Sequence, residues 1–392
     1  MDFSVLKPEI QAFIKANTGV SSTKLAFQKN PFPEVNWNLI IEQIASRQKA
    51  KEKLPTWFSA DSIVYPSKIA IEQTSSEKTA AYKASLVSGG ALLDTTGGFG
   101  IDSYYFSKRF ESVIHCEINE TLSTIAQHNF EVLNVKNVSC HNADSLEVLE
   151  HLKPKLDWMY IDPSRRHDAK GKVFLLKDCT PNVPELLDIY FNYSNTILIK
   201  TAPILDISAG LNELKNVRQI HIVAVDNEVK ELLWEISQGY DGSIAIRTVN
   251  LKKEHAEVFD FILNENTESN AFNLPQEYLY EPNSAIMKSG GFTEIGIQFK
   301  LEKLHPHSQL YTSNQIIEFP GRVFKIHQVI PYQKTILKTT FEGKKANITT
   351  RNFPDSVAEI RKKWKIKDGG ADYCFFTTDM NNDKIVLLCT KI

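Results

Sequence analysis

The sequence predicts a doubly wound α/β fold built on a parallel sheet, and three observations predict it. Apolar runs at Ala91–Leu93, Val113–Cys116, Leu156–Ile161, Thr196–Ile199 and Ile220–Val225 have the length of buried strands. Helix-forming segments such as Leu122–Leu133 and Val183–Tyr190 fall between them, an alternation that argues crossover connections and a parallel sheet. A glycine-rich turn, Gly97-Gly98-Phe99-Gly100, follows the first run directly, where sheets of this kind meet their ligands.

Residues 1–65 read as a helical N-terminal region. Val5, Ile10, Phe13 and Ile14 line one face of a short helix, Asn30-Pro31-Phe32-Pro33 interrupts the pattern, and Trp37–Ile44 restarts it. The α/β domain is expected over 66–265. Near its start, Ser75 or Ser76 would cap a helix running through Leu86. Beyond residue 240, Ser243–Val249, Val258–Leu263, Gly296–Leu301 and Ile385–Leu388 read as strands with long polar connections. Pro275, Pro282, Gly290-Gly291 and Phe319-Pro320-Gly321 mark turns, dividing the tail into a small α+β unit over 266–319 and a terminal one over 320–392.

The 392-residue chain is 42% hydrophobic and 23% charged, the balance of a soluble protein with cores of its own. Its formal net charge of −2 announces no global basic field, so a nucleic-acid surface must be a local patch. Cys116, Cys140, Cys179, Cys374 and Cys389 show no metal-ligand spacing and read as buried reduced thiols of a cytoplasmic protein. The first residues lack the basic-then-apolar pattern of a signal peptide, and no apolar run approaches the ~20 residues that cross a bilayer. No metal and no membrane partner are expected.

Chemistry concentrates at the strand ends. The first run continues as Leu92-Leu93-Asp94-Thr95-Thr96-Gly97-Gly98-Phe99-Gly100-Ile101-Asp102. Gly98 and Gly100 have no Cβ to hold a ligand off the backbone, and amides at a helix start favour an anionic group. Asp94 would repel a pyrophosphate and suits a cationic ligand such as a sulfonium amino acid; Ser103 replaces the third small residue of the dinucleotide fingerprint. Asp94, Thr96, Gly98, Phe99 and Gly100 are the cofactor contacts expected here. The second run ends in Glu117, where a carboxylate holds a ribose diol. The third leads to Asp144, which either accepts from the exocyclic amine of an adenine or N-caps the helix starting at Ser145. The fourth ends in Asp162-Pro163-Ser164-Arg165-Arg166, the expected catalytic and substrate-positioning group, whose two guanidinium groups suit phosphate or carboxylate. His167, Lys170 and Lys172 extend its basic character, and Lys200 follows the fifth run without an assigned role.

These signals occur in the order and at the intervals of class I methyltransferases, and the chain resembles the bacterial THUMP-like-domain members of that class. The segments that carry the resemblance are Glu72-Gln73-Thr74-Ser75-Ser76-Glu77, Asp94–Asp102, Asp162–Arg166 and Tyr280-Glu281-Pro282-Asn283-Ser284-Ala285, and the likeness runs from about Lys53 onward. The resemblance implies a Rossmann-like sheet, S-adenosylmethionine as cofactor, a ferredoxin-like unit and a THUMP-like domain. Because THUMP domains are RNA-binding modules, it also implies RNA, ribosomal or transfer, as the methyl acceptor in a base methylation. Where amino-group methyltransferases carry Asn/Asp-Pro-Pro-Tyr/Phe, this chain has Asp162-Pro163-Ser164-Arg165, without the stacking aromatic.

Two further motifs carry weaker signals. His305-Pro306-His307 lacks regularly spaced ligands and reads as a surface loop. Arg361-Lys362-Lys363-Trp364-Lys365 interleaves cations with an aromatic ring as single-strand binders do, and equally fits a solvated helix end anchored by one tryptophan. Two other function classes compete. One is a nicotinamide-dependent oxidoreductase, against which Asp94 and the missing third glycine count. The other is a non-catalytic RNA-binding protein with a vestigial methyltransferase domain, against which the intact glycine string counts.

Overall fold

The computed structural model describes residues 3–165, 175–265 and 269–392. The side chain of Arg165 and all of Arg166, His167, Lys170 and Lys172 lie outside the described residues. The chain forms two compact units, Met1–Arg218 with Glu231–Gly242, and Gln219–Lys230 with Ser243–Ile392.

The first unit opens with helices. α1 (Pro8–Ala16) buries Ile10 and Ile14; α2 (Trp37–Lys53), capped by the Asn36 side chain, buries Ile40, Ile41 and Ile44. These side chains share one core with Trp57, Tyr65, Phe99 and Ile101. Buried amide side chains satisfy the main chain that crosses this core. Gln43 donates to Tyr65 O at 2.6 Å and accepts the Tyr65 N–H at 2.9 Å, and Asn129 treats Val64 the same way at 2.9 and 3.0 Å. Each group left unpaired there would cost about 1–3 kcal/mol.

α3 (Glu77–Leu86) is N-capped by Ser76, whose hydroxyl accepts the Thr79 N–H at 3.2 Å. The βα alternation follows as β1 (Gly89–Asp94), α4 (Ile101–Phe106), β2 (Phe110–Cys116), α5 (Glu120–Val132), β3 (Val138–His141), α6 (Ser145–Leu152), β4 (Trp158–Ile161), α7 (Val183–Tyr190) and β5 (Thr196–Thr201). All neighbours are parallel, in the order β3-β2-β1-β4-β5. The winding reverses between β1 and β4, and the carboxyl ends of those strands flank the crevice where such sheets bind ligands. β6 (Val217–Val225) and β7 (Glu228–Ser237) are joined by Asp226-Asn227, whose φ values of 49° and 66° make a tight turn. β7 runs antiparallel to β5.

In the second unit, which takes in β6 from Gln219 onward, β8 (Ala245–Leu251) lies parallel to β6 and antiparallel to β9 (Ala256–Ile262). Next come β10 (Tyr278–Pro282), α8 (Ser284–Ser289), α9 (Phe292–Gln298), β11 (Tyr311–Ser313), β12 (Gly321–Pro331), α10 (Lys334–Phe341), β13 (Asn347–Arg351), α11 (Val357–Trp364), β14 (Asp372–Thr378) and β15 (Lys384–Lys391). Their sheet has the order β11-β10-β12-β15-β14-β13. Alternation along β14 sends Cys374 and Phe376 into a core with Leu337, Phe341, Ile360 and Trp364 of the helices, and Phe375 into a second core with Leu279, Leu304, Leu310 and Phe324.

Two sequence expectations are corrected here, and a choice left open between two readings is decided. Gly296–Leu301 is not a strand, because Phe292, Ile295 and Phe299 recur at helical spacing and α9 buries Ile295. His305 is not a surface residue: it is 8% exposed, with Nδ1 at 2.9 Å from Asn352 Nδ2 and Nε2 at 3.2 Å from Asn382 Oδ1. Trp364 is a core residue, and three of its cationic neighbours are neutralised, Arg361 by Asp368, Lys363 by Asp355 and Lys365 by Glu342. The anchored helix end is the form this motif takes. Four of the five cysteines are buried and Cys140 is half-buried. Among the described residues no helix is long and apolar enough to cross a membrane, and no group of three or more His, Cys, Asp and Glu is placed to hold a metal ion.

Candidate active site

A cavity of about 480 Å³ opens at the carboxyl ends of β1 to β4, bordered by Thr96, Gly98, Phe99, Glu117, Asp144, Asp162 and Ser164 among the expected residues. Glu117 Oε2 accepts the Gly98 N–H at 2.8 Å and Oε1 the Asn119 N–H at 2.7 Å. Each carboxylate oxygen has a second lone pair for another donor. Asp144 does cap α6, accepting the Leu146 N–H at 2.8 Å through one oxygen, and it also borders the cavity. Thr96 ties the first strand end to the fourth, its hydroxyl oxygen accepting the Asp162 N–H at 2.8 Å.

Four expected residues sit differently. Asp94 is 1% exposed and lies beneath the turn, not on the cavity wall. Its Oδ1 takes the Thr96 N–H at 3.1 Å and its Oδ2 the Ser103 hydroxyl at 2.6 Å, while Ser103 Oγ meets His115 Nδ1 at 3.0 Å. With Asp94 ionised, the Ser103 proton goes to Asp94 and His115 donates from Nδ1. Burial pushes the Asp94 carboxyl up to about 7 against the two hydrogen bonds, and holds the His115 imidazole down at about 4. The Phe99 ring packs against Trp57 and Tyr65, each at 6.4 Å between centroids, so only part of the residue reaches the cavity. Gly100 is off the wall: its φ is 84°, and a Cβ there would come within 2.6 Å of Phe130. Pro163 is buried behind the wall. Arg165 places its backbone in a two-residue ladder with Cys179–Thr180.

Sequence reasoning misses the strongest electrostatic feature of the site. Asp102, on the cavity wall, accepts the Ser75 and Tyr160 hydroxyls, each at 2.9 Å, and pairs with the fully buried Lys83 ammonium at 3.1 Å. Lys83 also donates to Ser75 Oγ at 2.8 Å and pairs with Glu231 of β7 at 2.9 Å. Burial acts against the Lys83 ammonium, but Asp102 and Glu231 outweigh it and hold its pKa above the ordinary lysine value. Burial raises Glu231, with Lys83 opposing. Beside this group Lys200 pairs with Asp162 at 2.7 Å; burial acts against its ammonium, but Asp162 and Glu231 together raise the lysine. Removing one partner of the fully buried Lys83–Glu231 pair strands the other at a cost of about 3–5 kcal/mol. Two signals were available: Lys83 shares its helix face with buried Thr79, Ala80 and Ala84, and Glu231 directly precedes Leu232-Leu233-Trp234.

Two family models match the tail, a ferredoxin-like domain over residues 278–320 and a THUMP domain-like family over residues 321–391. Among solved structures, a candidate methyltransferase from Porphyromonas gingivalis W83 is similar at 31% identity over 98% of both chains, with a TM-score of 0.88. An rRNA methylase from Streptococcus thermophilus matches at 12% identity over 41% of this chain and 93% of its own, with a TM-score of 0.30. TrmK from M. capricolum, in complex with S-adenosyl-homocysteine, matches at 15% identity over 41% of this chain and 68% of its own, with a TM-score of 0.32. No curated protein matches the chain.

Proposed function

The chain belongs to the THUMP-like-domain methyltransferase family, and from that premise we propose that it transfers the methyl group of S-adenosylmethionine to RNA. The observation that carries this reading is one cavity bordered by the Gly98 backbone, Glu117, Asp144, Asp102 and Asp162. Its size suits a nucleoside-bearing ligand, and its carboxylates suit one that carries sulfonium and ammonium charge. The bound cofactor supplies an already activated methyl group, so the protein need mainly align the acceptor and exclude water.

Each wall residue then has a role. Glu117 holds the ribose hydroxyls and Asp144 accepts from the adenine amine. Asp102, fixed by Lys83, Ser75 and Tyr160, takes the ammonium of the cofactor's amino acid. Asp162, fixed by Lys200 and Thr96, faces the acceptor and can take its proton, with Ser164, Arg165 and Arg166 positioning it. RNA as acceptor has electrostatic support. Residues 321–392 hold 14 Lys and Arg against 7 Asp and Glu, a net +7, which leaves −9 on the rest of a chain whose total is −2. Such a basic segment is the local patch that a near-neutral protein needs to hold a polyanion.

Calorimetry tests the cofactor half. S-adenosylmethionine should bind, and Glu117→Ala should weaken it by about 1–3 kcal/mol, the value of hydrogen bonds to a charged group. Tight binding of NAD without the sulfonium cofactor would sink the proposal. Methyl label traced into RNA supports the acceptor half; label confined to protein or small molecules overturns it.

A further inference from the structure

With Arg361, Lys363 and Lys365 neutralised by carboxylates, the free positive charge of the terminal residues lies elsewhere. Lys344, Lys345 and Lys367 are exposed and carry no ion pair among the described residues. The backbone draws them together. An isolated parallel bridge sets Lys345 against Lys367, Ala346 N–H donates to Lys367 O at 3.0 Å, and Lys367 N–H donates to Lys344 O at 2.9 Å. Bridged residues lie about 5 Å apart, so the stems of Lys345 and Lys367 leave the surface side by side. The carboxylates adjacent in sequence, Glu342 and Asp368, are taken by Lys365 and Arg361. Like charges directly opposite each other disfavour the bare surface, and a bound polyanion relieves them.

The turns beside these lysines are open. Gly343 and Gly369 have φ values of 79° and 89°, and a Cβ at either would meet nothing within 4 Å. A ligand oxygen can therefore approach the main chain next to three ammonium groups, the combination that phosphate sites use.

We propose that Lys344, Lys345 and Lys367, with the turns at Gly343 and Gly369, form a phosphate site for the backbone of single-stranded nucleic acid. The site rests on the RNA reading above and gives the acceptor a place to be held. Lysine is a point charge with rotatable donors, so contacts of this kind position a strand without reading its sequence.

The test uses the full-length protein with labelled twelve-nucleotide oligo(U) and oligo(dT), titrated at several salt concentrations. Both oligomers should bind, with affinity falling steeply as salt rises. The double variant Lys345→Gln/Lys367→Gln should lower the log–log salt slope by about 1.4, at ~0.7 counterions per lost phosphate contact. It should also weaken binding about sixtyfold at ~50 mM salt, because a slope difference of about 1.4 carried down from ~1 M spans about 1.8 decades. Lys363→Gln, at a lysine already paired with Asp355, should leave both quantities unchanged, and S-adenosylmethionine affinity should be the same in all three proteins. An unaltered slope in the double variant overturns the site alone, as does an equal loss in Lys363→Gln. Binding confined to oligo(U) overturns recognition through phosphate. Wild-type protein that binds the cofactor but neither oligomer at low salt overturns the RNA reading together with the site.

Discussion

Beneath the glycine turn, Asp94, Ser103 and His115 form a buried chain whose two ends titrate in opposite senses. The Asp94 carboxyl is raised from 3.8 to about 7 and the His115 imidazole lowered from 6.5 to about 4, both chiefly by burial. A carboxyl raised on folding contributes stability that is complete below its unfolded value and is lost as pH rises through its folded one. Asp94 therefore destabilises the protein progressively from about pH 4 to pH 7, whereas His115 withdraws stability only as pH falls from about 6.5 to 4. The midpoint of thermal unfolding should accordingly fall between pH 5 and pH 8 in the wild type relative to Asp94→Asn, by the equivalent of about 2 kcal/mol. A constant gap between the two proteins across that range would show that Asp94 does not titrate there. Glu117 and Asp162 were legible in the sequence because an acid ending an apolar strand has one obvious place to point. Lys83 and Glu231 were not, since a helix lysine and a strand glutamate are ordinarily solvated, and only the fold brings them to Asp102.

At the scale of the element, the turn between β1 and α4 is fixed by what lies under it. A Cβ on Gly97 would stand 2.1 Å from His115 Cε1, while the Gly97 N–H donates to Cys116 O at 2.8 Å and ties the turn to β2. Neither side can retreat. Gly97→Ala should cost about 1–3 kcal/mol of stability through overpacking and weaken S-adenosylmethionine binding as the turn is displaced. Adding His115→Ala should recover part of both losses, because the ring that the methyl meets is gone; contacting sites couple in this way. Losses that simply add in the double variant would refute the clash. The parallel strands of this unit were visible as short continuous apolar runs, and the alternation with helices argued that they run parallel; their order in the sheet was not legible. α9 was hidden because the six residues Gly296–Leu301 are too few to separate a period of 3.6 from one of 2; starting the window at Phe292 exposes the helical spacing.

At the scale of the whole molecule, the break at Phe319-Pro320-Gly321 suggests that the terminal segment can be cut away as a domain. The sheet argues otherwise. β12 lies just beyond the break and pairs with β10 from Tyr278–Lys325 to Pro282–Gly321. Leu279, Leu304 and Leu310, upstream of the break, share a core with Phe324, Phe375, Leu387 and Cys389 downstream. Glu281, 3% exposed at its side chain, accepts from Arg322 Nε at 2.6 Å and from an Arg351 guanidinium nitrogen at 2.8 Å, so truncation would strand a buried carboxylate. Each large aromatic removed from a core costs about 3–5 kcal/mol, against a total stability of about 5–15 kcal/mol for a typical protein. A chain ending at Pro320 should therefore lose protease resistance across residues 245–320 and bind dyes that report exposed apolar surface. It should still bind S-adenosylmethionine, because every residue bordering the cavity belongs to the unit Met1–Arg218 with Glu231–Gly242. Limited proteolysis and calorimetry on the truncated protein check both halves. A fragment with residues 245–320 still resistant would mean that β10 and its neighbours fold without β12 and β15. If they do not, loss of RNA binding on truncation reports collapse of this sheet, and only surface substitutions such as Lys345→Gln/Lys367→Gln separate phosphate contact from folding.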